Sequence, residues 1–111
     1  MRAHTSILFL SVALLISFSA NASDWIVQGR LTRLEPTFAD RLNLRIDVSA
    51  GMCPAAGWLF FYGAGSTPEE RRASVKAVYA GLLASLHAGT PIEMTGINNG
   101  CVVEQVHLLN N

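Results

Sequence analysis

The chain has 111 residues, half of them hydrophobic, and its eight basic and eight acidic residues give a formal net charge of zero. This balance argues against a protein held on nucleic acid mainly by phosphate contacts, because such proteins need a strongly basic surface. The length leaves room for one small domain and excludes a second.

A secretory leader is predicted at the N-terminus. The first four residues carry a positive charge, residues 5–20 are almost wholly apolar, and the run closes on an Ala-Asn-Ala sequence that ends at Ala22. This is the pattern of a cleaved signal peptide. An uncleaved membrane anchor is the alternative, but the apolar run is shorter than the ~20 residues that a bilayer span needs. We expect a signal peptide over residues 1–22, a single domain over residues 23–111, and a secreted or periplasmic location.

Three strands are predicted before the helix. Residues 25–34 are rich in strand-forming residues, and Gly29 within them predicts a bulge or a sharp bend. Residues 35–40 are expected to form a turn. Residues 41–48 alternate polar and apolar side chains, and residues 57–63 form an apolar and aromatic run that suits a strand covered on both faces. The side chains of the alternating strand that are expected in the core are Leu42, Leu44, Ile46 and Val48.

A helix is predicted from Pro68 to about Ala88. Thr67 suits the N-cap, Glu70 completes a capping box, and Gly89 ends the helix. Apolar residues at helical spacing should face the core, namely Val75, Val78, Tyr79, Leu82, Leu83 and Leu86.

After the helix, residues 92–97 and 101–109 read as two strands joined by a turn at residues 98–100. Five strands with one helix between the third and the fourth is the order of the OB-fold, a small barrel. We therefore predict a mainly β fold with one helix, an OB-fold-like barrel. An open α+β sheet with one helix is the alternative.

Cys53 and Cys101 are the two cysteines of the chain. A pair of cysteines in a small exported domain most simply forms an intramolecular disulfide. A redox-active pair is the alternative, but the C-x-x-C spacing typical of one is missing. The sequence thus predicts a Cys53–Cys101 disulfide.

The face of the helix opposite the core stripe is built of small residues, where a solvated helix usually carries Lys and Glu. One interpretation is a surface that lets a second copy of the chain approach closely; the other is that alanine, the best helix former, occupies an undemanding surface. The residues predicted for such an oligomer interface are Ala73, Ala77, Ala80, Gly81 and Ala84.

The chain resembles the B subunits of bacterial AB5 toxins, closest to the subtilase cytotoxin B-subunit type. The likeness lies in the capped helix that begins at residues 67–70, in the phrase LLASLHAGTPI over residues 82–92, and in the strand that runs from Val103 to Leu108. The resemblance implies a non-enzymatic OB-fold that assembles into a ring with its helices at the centre and binds glycans. The alanines depart from the charged pore helices of the enterotoxin type, and no glycan-binding motif of the family is present.

Four residues are candidates for ligand binding. Phe38 and Trp58 are aromatic side chains on which a sugar could stack, although Trp58 also suits the core. Arg41 and Arg45 lie on one strand face and could hold an anionic ligand; a solvated sheet face is the alternative. No cofactor is predicted, and His87 and His107 lack the spacing of metal ligands.

No nucleophile motif is present, so we predict an exported binding module without catalytic activity. The alternative is a periplasmic inhibitor or stress protein that binds another protein through residues 49–56. A small enzyme would need a pocket with convergent polar groups.

Overall fold

The computed structural model describes residues 23–38 and 40–110. The predicted signal peptide over residues 1–22 lies outside the described residues. These residues form five strands and one long helix: β1 (Trp25–Phe38), β2 (Arg41–Ile46), β3 (Leu59–Phe61), α1 (Pro68–Ala88), β4 (Pro91–Ile97) and β5 (Val102–Leu108).

The strands form a closed barrel in the order β1-β2-β3-β5-β4, with β1 also paired to β4. All pairs are antiparallel except β3 with β5, which are parallel and meet at the single pair of Phe60 with Val102. The predicted OB-fold-like barrel is therefore confirmed, and the alternative open sheet is wrong.

β1 is longer than predicted and serves both sides of the barrel. Residues 25–30 pair with β4 in an unbroken register, and residues 31–38 pair with β2. The pairing of β1 with β2 is irregular at two places, between Leu31 and Arg33 and between Glu35 and Phe38, whereas Gly29 pairs regularly with β4. The predicted bulge at Gly29 is therefore misplaced. A Cβ at Gly29 would lie 2.9 Å from Oδ1 of Asp47, and this close approach explains the glycine. The turn predicted over residues 35–40 is wrong in its extent, because strand pairing continues to Phe38.

The core predictions for the next two strands hold in part. Leu42, Leu44 and Ile46 are buried, but Val48 lies beyond the end of β2 and is 37% exposed, so its predicted place in the core is wrong. β3 has three residues, and its middle residue, Phe60, is half-buried on the outside of the barrel. The predicted strand covered on both faces is therefore fully covered only on the face of Leu59 and Phe61.

The core joins the inner face of the barrel to one side of α1. From the helix it takes Val75 and Leu82, and the other buried apolar side chains are Trp25, Leu31, Leu42, Leu44, Ile46, Ala50, Cys53, Leu59, Phe61, Ile92, Met94 and Val103. The predicted disulfide is confirmed: Cys53 and Cys101 are bonded, and their Cα atoms are 5.9 Å apart. Cys101 ends the turn between β4 and β5, where Gly100 adopts a φ of 74° that favours glycine.

Both ends of α1 are confirmed as predicted. Oγ1 of Thr67 accepts a hydrogen bond from the backbone N–H of Glu70, and Gly89 adopts the left-handed conformation at the C-terminus. The carboxylate of Glu70 accepts hydrogen bonds from the backbone N–H and the hydroxyl of Ser66 and from the backbone N–H of Thr67. These bonds, led by that of the Ser66 backbone, lower the pKa of Glu70.

Glu70→Gln is expected to destabilise the protein more at neutral pH than at pH 3. A carboxyl whose pKa is lowered by folding contributes stability above its unfolded pKa of about 4.3, and that contribution is lost as the pH falls through the folded value. Urea unfolding at both pH values checks this, with Glu69→Gln as the neighbouring carboxyl control. The same difference between variant and parent at both pH values would contradict the cap assignment.

Candidate binding surface

The outer face of β1, β2 and the start of β3 carries a set of arginines interleaved with aromatic rings. We call it the arginine–aromatic face, and its members are Arg33, Arg41, Arg45, Trp58 and Phe60. The alternation of β2 places it there: Leu42 and Leu44 point into the core, so the arginines on either side of them point outward. Arg33 joins the set from β1 because it pairs directly with Arg45 across the two strands.

The guanidinium groups lie over the rings. Cζ of Arg45 is 4.1 Å from the centre of the Trp58 ring, and Cζ of Arg33 is 5.8 Å from the same centre. Cζ of Arg41 is 5.8 Å from the centre of the Phe60 ring. A cation over an aromatic face is attracted by the ring quadrupole, so the rings fix the positions of the guanidinium groups.

Positive charge predominates on this face. Glu35 is an acidic neighbour, and its Oε2 lies 3.6 Å from Nε of Arg33 in a surface pair whose side chains are 34% and 59% exposed. Exposed pairs of this kind contribute little and are exchanged easily. The face can therefore offer guanidinium N–H groups to a carboxylate, sulfate or phosphate, which arginine binds in a bidentate manner.

β2 also carries polar atoms that folding leaves unsatisfied. Nε of Arg45 and Oδ1 of Asn43 are shielded from solvent, and neither has a hydrogen-bond partner in the described part of the chain. Such groups are uncommon in folded proteins because a buried polar atom without a partner is destabilising.

The structure brings three of the four predicted binding residues together. Arg41, Arg45 and Trp58 lie on one surface, and the Trp58 ring, which is half-buried, is covered by guanidinium groups and is not an open stacking platform. The backbone of Phe38 pairs with that of Arg41, whereas the Phe38 side chain lies outside the described residues.

Sequence reasoning missed Arg33 and Phe60 as members of this face. The position of Arg33 opposite Arg45 depends on the bulge after Leu31, for which the sequence carries no clear signal. The sequence predicts that the run over residues 57–63 is covered on both faces, so it does not place Phe60 on an outward surface. The alternation of outward arginines on β2 is the signal that could have placed an aromatic partner there.

A second surface feature is a tight turn within residues 49–56, the segment predicted from the sequence as a protein-binding loop. Ala50 and Cys53 exchange two backbone hydrogen bonds of 2.8 Å, which close a tight turn that we call the Met52 hairpin (residues 50–53). The N–H of Met52 donates to Oδ1 of Asn98 at 2.9 Å, and the disulfide fixes the other end. The Met52 side chain is 82% exposed.

The small-residue face of α1 is largely accessible. Ala73, Ala77, Ala80 and Ala84 are exposed, whereas Gly81 is half-buried against β5. A Cβ at Gly81 would lie 2.8 Å from Cδ1 of Leu108, so the glycine leaves room for the Leu108 side chain to pack against the helix. Self-association through the alanines stays a prediction.

Within residues 23–38 and 40–110, no group of three or more His, Cys, Asp or Glu side chains is placed to hold a metal ion. In the same part of the chain, no helix combines the length and apolar character needed to cross a membrane. Comparison of the chain with protein-family models, with curated proteins and with solved structures finds no match.

Proposed function

We propose that this protein is an exported, non-catalytic binding module that holds the acidic group of a glycan on its arginine–aromatic face. The observation that carries the proposal is the stack of Arg45 on Trp58 at 4.1 Å, with Arg33 over the same ring. Such a stack fixes a guanidinium before the ligand arrives, which reduces the entropy lost on binding.

The chemistry of the face favours an acidic ligand over a neutral sugar. A neutral sugar would need an open ring, and the guanidinium groups occupy that position on Trp58. A carboxylate or sulfate instead meets the N–H groups of arginine directly.

Export is supported by the leader-like first 22 residues and by the disulfide, which is typical of an oxidising compartment. We place the protein in the periplasm or outside the cell. The likeness to AB5 toxin B subunits, which are themselves binding modules, rests on the sequence phrases of the helix and of the last strand.

Arg45→Ala is expected to weaken binding of an acidic glycan by about 10- to 100-fold, the loss of one charge-assisted hydrogen-bonding group. Arg45→Lys should give an intermediate loss, since lysine keeps the charge without the planar fork. The measurement is a glycan array of carboxylated, sulfated and neutral sugars, followed by calorimetric titration of the best ligand. Arg72→Ala, an exposed arginine on the helix, is the control and should leave affinity unchanged.

Three results would contradict the proposal. One is an array without any saturable acidic ligand. Another is equal loss of affinity in Arg45→Ala and Arg72→Ala. The third is preferential binding of single-stranded DNA, which also uses arginines and aromatic rings.

A protein partner is the second candidate, and the Met52 hairpin favours it. A flexible apolar side chain that is 82% exposed on a loop fixed by a disulfide suits insertion into a pocket of another protein. Met52→Ala should abolish capture of a partner from periplasmic extract and leave glycan binding intact, whereas Arg45→Ala should do the reverse if the glycan is the ligand. The two variants therefore distinguish the two functions.

A further inference from the structure

A groove of about 540 Å³ lies along the first half of α1, at the end of the barrel where β2 begins. Its floor is apolar: Leu42 and Val75 are buried, and Pro36, Ala73 and Tyr79 form the walls. This volume falls within the range of roughly 300–1,000 Å³ that is typical of small-molecule sites. None of these five side chains belongs to the arginine–aromatic face or to the Met52 hairpin.

The rim of the groove is charged, and its balance is positive. Glu69, Arg72 and Lys76 line it. Oε1 of Glu69 lies 3.9 Å from an Nη of Arg72 in an exposed pair, and Lys76 forms no ion pair with any described residue. An exposed pair of this length is weak, so an incoming anion can compete for Arg72 while Lys76 is already available.

We propose that this groove binds a free single-chain anionic amphiphile, of the class of a fatty-acid carboxylate. The apolar chain lies on Leu42 and Val75, and the acidic head lies at the rim beside Lys76. The charge of the rim selects the head group of the ligand. A carboxylate is attracted electrostatically by the positive rim, whereas a neutral head group is not.

The dimensions of the groove limit the ligand. Its helical wall runs from Glu69 to Tyr79, and a rise of about 1.5 Å per residue over these ten positions of advance makes it about 15 Å long. A single chain of medium length fits along it. Binding removes from water the hydrocarbon chain of the ligand itself and the exposed parts of Pro36, Ala73 and Tyr79, and this burial supplies most of the affinity.

The test is calorimetric titration of the purified protein with dodecanoate below its micellar concentration, and with a dodecyl glucoside as the neutral counterpart. We expect saturable binding of dodecanoate and markedly weaker binding of the glucoside. In parallel, methyl NMR signals of Leu42 and Val75 should shift with dodecanoate, which locates the ligand in the groove.

Two variants and one control make the site falsifiable. Ala73→Leu places a larger side chain in the groove and should reduce affinity at least about tenfold. Ala80→Leu changes the same residue type on the same exposed helix face outside the groove and should have no effect. Lys76→Gln should weaken dodecanoate about two- to fivefold, the loss of one surface charge pair, without altering the weak binding of the glucoside.

Four outcomes would overturn the proposal: no saturable binding, equal affinity for the two amphiphiles, equal effects of Ala73→Leu and Ala80→Leu, or partition only into anionic phospholipid vesicles. Ala73 and Ala80 are both exposed, so neither substitution should lower the unfolding temperature much. Thermal unfolding of each variant therefore shows whether a loss of affinity comes from a blocked groove or from a damaged fold. The arginine–aromatic face is unchanged in all of these variants, so the outcome is independent of glycan binding.

Discussion

Replacing Cys53 and Cys101 together with alanine is expected to lower the free energy of unfolding by about 4 kcal/mol, in the chain-entropy account of disulfides. The two residues are 48 positions apart, so the cross-link restricts a large part of the unfolded chain. A domain this small has a net stability of only about 5–15 kcal/mol in total. The loss is therefore a large share of what holds the protein folded.

Chemical denaturation of the oxidised protein, the reduced protein and the double variant measures the effect. Alanine is preferred to serine because Cys53 is buried, and a serine hydroxyl there would add a desolvation cost of its own. The reduced protein and the double variant should unfold at similar, much lower denaturant concentrations than the oxidised protein. Coincident curves for oxidised and reduced protein would show that the bond does not stabilise the domain.

Leu82→Ala is expected to cost about 2–5 kcal/mol, the range for truncating a buried leucine. The Leu82 side chain is fully buried and comes from the middle of α1, where it joins the helix to the barrel core. The surrounding side chains belong to separate strands and to the helix, so they can collapse only partly into the cavity.

Leu108→Ala is the matched control, since it removes the same atoms from a side chain that is 55% exposed on β5. Its cost should be about 1 kcal/mol or less, in proportion to the smaller apolar area that it withdraws from water. Thermal unfolding of both variants against the parent protein gives the comparison. If the two truncations cost the same, α1 does not pack on the barrel through Leu82.

The sequence allowed the local parts of the fold to be predicted because their signals are local. The capping box at Thr67 and Glu70, the glycine after the helix, and the alternation of β2 each involve residues close together in the chain. The order of these elements was enough to predict the barrel. The disulfide followed from the cysteine count and the predicted leader rather than from geometry.

What escaped prediction depends on contacts between distant residues. The extension of β1 to Phe38 is decided by its pairing with β2, and the exposure of Val48 is decided by where that pairing stops. The arginine–aromatic face was predicted only in part for the same reason. Arg41 and Arg45 lie on one strand and were predicted together, but Arg33 lies beside them only because of the register between β1 and β2. The groove along α1 combines residues of three elements and has no signature in the sequence.

The parallel contact between β3 and β5 gives the disulfide a further significance. Those strands meet at one residue pair, Phe60 with Val102, and Cys101 immediately precedes Val102. The covalent bond thus lies beside the part of the barrel wall that has the fewest ladder hydrogen bonds. In oxidising surroundings the barrel is closed at this point by a covalent bond as well as by strand pairing, whereas in reducing surroundings strand pairing alone closes it.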